Sequence, residues 1–122
     1  MDVINLEKAA RLMDGDQELF ADLFALIENS LSEKYANIEN ALAAESPDDL
    51  ELYAHQFKGA LRNVAADETC ALLERLEKCG PRKDFIQARE LFAQVPSAVD
   101  KVFACYHSRV WVAAFTAHQP GS

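Results

Sequence analysis

The residues with the most chemical content sit in one short run, Ala54-His55-Gln56-Phe57-Lys58-Gly59-Ala60. On a helix, positions i, i+3, i+4 and i+7 share a face, which groups His55 with Lys58, Gly59 and Arg62 and puts Leu52 beside them. An imidazole titrates near neutrality and can act as a nucleophile. An ammonium next to it can stabilise the oxygens of a transferring phosphoryl group. Glycine inside a helix costs roughly 0.5–1 kcal/mol relative to alanine, so Gly59 marks a place where a missing side chain gives clearance to an approaching partner. The pattern predicts His55 as a phosphoryl acceptor, Lys58 as the stabilising cation on the exposed face, and Phe57 and Leu61 as anchors behind them. His107 and His118 have no such company and read as surface residues.

The elements that position this run are helical, because apolar residues recur at steps of three and four. A short helix is expected from Leu6 to Met13, broken by Asp14-Gly15-Asp16. A long one follows from Gln17 to Ala43, with the stripe Phe20, Phe24, Ile27, Leu31, Tyr35, Ile38 and Leu42. Leu19, Leu23 and Leu26 flank that stripe, so this helix is either buried on two sides or carries a docking face. Ser46-Pro47-Asp48-Asp49 is a capped helix start, and the stripe Leu50, Tyr53 or Ala54, Phe57, Leu61 and Val64 follows. A further helix is expected from Asp67 to Lys78, ended by Gly80-Pro81. The last begins near Lys83, with a kink or short break at Pro96. Short connections between these helices favour an all-α, antiparallel up-down four-helix bundle with a short additional N-terminal helix. Residues 1–117 form the domain and 118–122 a flexible tail. The apolar stretch from Val110 to Phe115, with Trp111, is expected to pack back on the bundle rather than mediate self-association.

The motif resembles that of histidine-containing phosphotransfer (HPt) domains of two-component phosphorelays. The resemblance rests on the run Ala54 to Ala60, the small-residue turn Asn63-Val64-Ala65-Ala66, and Leu72-Leu73-Glu74-Arg75-Leu76-Glu77. It extends to Asp14-Gly15-Asp16-Gln17-Glu18-Leu19 and Ile38-Glu39-Asn40-Ala41-Leu42. It implies a four-helix bundle that takes a phosphoryl group from one receiver-domain aspartate and passes it to another, with no nucleotide site or autokinase activity of its own. It implies no cofactor and no metal ligands in this chain, the Mg²⁺ being supplied by the receiver. The implied partners are response-regulator receiver domains and hybrid sensor histidine kinases. Three departures stand out: Ala65 where the family usually has glycine, Thr69 where an apolar residue is common, and Glu77 where glutamine is common. A carboxylate at position 77 either repels a phosphohistidine or holds the neutral ring's N–H.

Composition narrows the alternatives. The chain of 122 residues has the length of one domain, and its net charge of −8 argues against general nucleic-acid binding. Cys70, Cys79 and Cys105 are unevenly spaced and read as free thiols in a reducing cytoplasm. No apolar run approaches a membrane span, and neither a secretory signal nor a glycine-rich phosphate loop is present. The expected location is cytoplasmic and the expected state a monomer. The Met1 start favours a free-standing protein over a piece of a larger kinase. Leu12, Met13, Leu23, Leu52 and Arg62 are candidates for the surface that meets a partner. A non-catalytic bundle that docks on a receiver or kinase is the competing function.

Overall fold

The computed structural model describes residues 2–119, and the described residues are helical throughout, without strands. The helices are α1 (Leu6–Leu12), α2 (Gln17–Ala43), α3 (Pro47–Arg62), α4 (Asp67–Arg82), α5 (Phe85–Phe92), α6 (Val95–His107) and α7 (Trp111–Ala117). Asn5, Asp16, Ser46 and Asp84 cap α1, α2, α3 and α5, each side-chain oxygen accepting a backbone N–H three residues on. Among the described residues no helix is long and apolar enough to cross a membrane.

The expected stripes form the core. Phe20, Phe24, Ile27, Ile38 and Leu42 of α2 meet Leu50, Ala54, Phe57 and Leu61 of α3, Leu73 and Leu76 of α4, and Val95, Val99 and Val102 of α6. Full burial of each large side chain contributes roughly 1.5–3 kcal/mol. Thr69, a departure from the apolar pattern, is buried in the same core. Tyr35 is half-buried beside Phe57 and Phe92, and burial first, then the charge of Asp100, pushes its hydroxyl up to about 12.

The last expected helix is divided. The break falls at Ala93-Gln94, so Pro96 lies in the first turn of α6, where a missing N–H leaves no bond unmade. The apolar stretch around Trp111 folds back on its own chain as α7. Trp111 and Phe115 are buried against Phe20, and the indole N–H donates to the Tyr106 carbonyl at 2.8 Å. His118, expected on the surface in a loose tail, is half-buried, with Nε2 3.0 Å from Asp14 Oδ1. That contact ties His118 to the α1–α2 turn, and positions 120–122 of the expected tail lie outside the described residues.

The end of α4 differs from expectation for a specific reason. Gly80-Pro81 does not stop the helix, which runs on to Arg82. Lys83 adopts the left-handed conformation (φ 55°), and the N–H groups of Lys83 and Asp84 bond the carbonyls of Gly80 and Cys79. That is the usual glycine-type helix ending, made without glycine. Asp14, Glu45 and Ala65 close α1, α2 and α3 in the same way, at φ 50°, 48° and 57°. Gly80 serves packing instead. A Cβ there would lie 2.6 Å from the Pro47 carbonyl oxygen and 3.1 Å from Glu51, so the absent side chain lets α4 press on the first turns of α3.

Gly80→Ala is expected to destabilise the fold by about 1–3 kcal/mol through overpacking against backbone, read from the midpoint of denaturant unfolding. An unchanged midpoint would show that the two helices have room to separate.

Candidate functional site

His55 lies midway along α3 on the ridge facing solvent, its side chain 60% exposed. Ala54, Phe57 and Leu61 on the opposite side are fully buried and fix the helix's rotation. The imidazole Nδ1 is 3.1 Å from Oε1 of Glu77, which projects from α4. The Lys58 Nζ is 2.9 Å from that same oxygen. Two of the residues named for chemistry, His55 and Lys58, thus converge on Glu77, whose part the sequence left open.

Burial raises the proton affinity of Glu77, but hydrogen bonds from Lys58 and His55, and then their charges, outweigh it and hold the carboxyl below its ordinary range. An ionised carboxylate only accepts, so Nδ1 is the donor in its contact with Glu77. In the neutral ring Nε2 then carries the lone pair, and it has no protein partner among the described residues.

Lys58 departs from the exposed position expected of it. Its side chain is 8% exposed, with the aliphatic stem beneath α4 and the ammonium held by Glu77. Lysine stems commonly bury in this way while the charge finds a partner. Gly59 is half-buried, and a Cβ built on it meets nothing within 4 Å. The free chain would therefore accept a larger residue there. Arg62 is exposed and lines the groove between α3 and α4 with Lys58, Cys70 and Glu74. Burial, then Asp67, pushes the Cys70 thiol up to about 11, so it is protonated at neutral pH.

The expected docking residues divide. Leu12 and Leu52 are exposed, and Leu23 is half-buried. Met13 is a correction: it closes α1 with its side chain in the core, 6% exposed, beside Ala9 and Ala10 on the inner face of α1. Leu19 and Leu26, flagged only as flanking the α2 stripe, are exposed, which answers the choice between double burial and an open apolar face.

A family model described as Hpt domain matches residues 22–105. The match spans most of α2, all of α3, α4 and α5, and α6 as far as Cys105, leaving α1 and α7 outside. No curated protein and no solved structure matches.

Glu77 contributes stability through a lowered folded-state pKa. That contribution is fully present above the ordinary value of 4.5 and is lost as pH falls through the folded value. Glu77→Gln leaves the buried ammonium without its counter-charge and is expected to cost about 1–3 kcal/mol at pH 7. The gap to wild type should narrow as unfolding is measured at pH values below 4.5. A gap independent of pH would remove Glu77's ionisation from the account.

Proposed function

This chain belongs to the Hpt domain family, and from that premise we propose that it relays a phosphoryl group between receiver-domain aspartates through His55. The family's activity is phosphotransfer in two-component signalling, and its members interact with receiver and kinase domains. The observation that carries the proposal is the exposed imidazole held at Nδ1 by an ionised Glu77, with Nε2 directed away from any protein partner.

In the transfer, the Nε2 lone pair attacks the phosphorus of a receiver's acyl phosphate. The phosphorus–oxygen bond breaks, and the aspartate leaves as a carboxylate. The new nitrogen–phosphorus bond leaves positive charge on a ring that keeps its Nδ1 proton, and the Glu77 carboxylate 3.1 Å away balances that charge. The reverse sequence passes the group to a second receiver. No proton need leave the ring in either direction. Lys58 keeps Glu77 ionised at rest, and in this reading its ammonium, one turn from His55, neutralises the phosphoryl oxygens during transfer. Gly59 gives clearance to the partner that brings them. The receiver supplies Mg²⁺, and this chain needs no cofactor of its own.

The scaffold in this reading is an antiparallel up-down bundle of α2, α3, α4 and a fourth helix divided into α5 and α6. The short turns joining α2, α3, α4 and α5 support it. Leu12, Leu19, Leu26 and Leu52 supply exposed apolar surface for a receiver, Leu23 lies partly open among them, and Arg62 supplies charge. In this reading its partners are receivers and hybrid sensor kinases, and the chain acts in the cytoplasm as a monomer.

Incubation with a phosphorylated receiver and Mg²⁺ is expected to give acid-labile, base-stable label on the wild type and none on His55→Gln. Label persisting in that variant sinks the assignment, and receiver binding without label favours the adaptor. Gly59 provides a separate check. Gly59→Ala should leave stability unchanged or raise it by roughly 0.5–1 kcal/mol, since the site is open, while slowing transfer. Transfer at the wild-type rate in Gly59→Ala would remove clearance as its role.

A further inference from the structure

Two segments from opposite ends of the chain, α1 and α7, lie outside the matched residues 22–105 and pack on each other. The principal helix partner of α1 is α7. The ties of α1 to the α3–α4 turn are polar: the Asn5 N–H donates to the Ala65 carbonyl at 2.9 Å, and Lys8 Nζ lies 3.0 Å from Asp67 Oδ1. A helix of seven residues does not hold itself together in water, so the position of α1 depends on these neighbours.

The end of α7 also bears on the α1–α2 turn. His118 Nε2 lies 3.0 Å from Asp14 Oδ1, and Gln17 Nε2 donates to Thr116 Oγ1 at 3.4 Å. Between them Gly15 adopts φ 76°, and a Cβ there would lie 3.2 Å from the Phe115 carbonyl oxygen and 3.5 Å from the His118 ring. The turn is therefore clamped at close range. On its inner face α7 is anchored by Phe115 and, one turn earlier, Trp111, whose rings lie 4.7 and 4.9 Å from that of Phe20. The clamped turn joins Leu12 at the end of α1 to Leu19 in the first turns of α2, two of the exposed leucines.

We propose that α7 is a strap that fixes α1 and the Asp14–Asp16 turn, and so sets the spacing of Leu12 and Leu19 in the surface offered to a receiver domain. The docking half of this inference rests on the relay reading; the packing half does not. The strap acts on binding, and the chemistry at His55 proceeds without it. Its attachment is graded, with an aromatic anchor at Trp111 and Phe115 and a polar clasp at Thr116 and His118.

The test uses the full chain with His118→Ala, which opens the clasp, and Phe115→Ala, which weakens the anchor. In both, amide hydrogen exchange in α1 is expected to quicken roughly tenfold or more, with α3 and α4 unchanged. The dissociation constant for a receiver domain, measured by titration, should rise roughly three- to tenfold, while the maximal rate of transfer to His55 stays at the wild-type value. If Phe115→Ala loses the whole fold, His118→Ala decides. Unchanged α1 exchange overturns the strap, and so does a freed α1 with unchanged receiver affinity. A wild type that binds receivers without being labelled overturns the relay reading and leaves the strap standing. A wild type that binds no receiver at all overturns the docking half as well.

Discussion

One carboxylate oxygen, Oε1 of Glu77, accepts from both the Lys58 ammonium and the His55 ring. At an effective dielectric near 20, opposite unit charges about 3 Å apart attract by on the order of 5 kcal/mol before desolvation is counted. Burying the lysine offsets much of that gain, so the pair contributes less to stability than to geometry. The attraction is enough to keep the carboxylate ionised despite its burial. An ionised carboxylate in turn fixes which ring nitrogen carries the proton. The orientation and tautomer of an exposed side chain are thus set by a pair that is itself largely hidden from water.

That arrangement needs α3 and α4 close together and correctly rotated. Their contact is the most extensive between any two helices of the described residues. Gly80 lies one turn beyond Glu77, and Glu51, which it touches, lies one turn before His55. The close approach is therefore made right beside His55 and Glu77. On the far side of α3, Phe57 and Leu61 in the core prevent the helix from rolling. The two helix glycines do opposite things: Gly80 admits a neighbouring backbone from within the chain, whereas the space over Gly59 is open and has meaning only when something arrives from outside.

The helix ends show how little of the chain is spent on connections. Asp14, Glu45, Ala65 and Lys83 each take a left-handed conformation that costs an ordinary residue about 1–2 kcal/mol. In exchange the carbonyls at the end of each helix are bonded and the next helix begins within a few residues. Ala65 illustrates the balance. Glycine would relieve its backbone, but its methyl group is fully buried and its carbonyl accepts from Asn5 at the start of α1.

The sequence alone determined the helical class, the apolar stripes, the capped start at Ser46 and the helix face that groups His55 with Lys58 and Gly59, since all depend on periodicity and on contacts a few residues apart. It also distinguished His55 from His107, because Lys58 and Gly59 lie within one helical turn of it. Tertiary structure decided what depends on how two helices meet. Lys58 is buried rather than exposed because α4 lies over it, and Glu77, 22 residues from His55, becomes the centre of the site only across that contact. Met13 turns into the core while Leu12 remains outside, and His118 is drawn in by Asp14, 104 residues away. Gly80 read as a stop signal because local sequence does not tell a glycine needed for its own backbone from one needed for its neighbour's. The distance between helices is a property of the packed core, which no single segment contains.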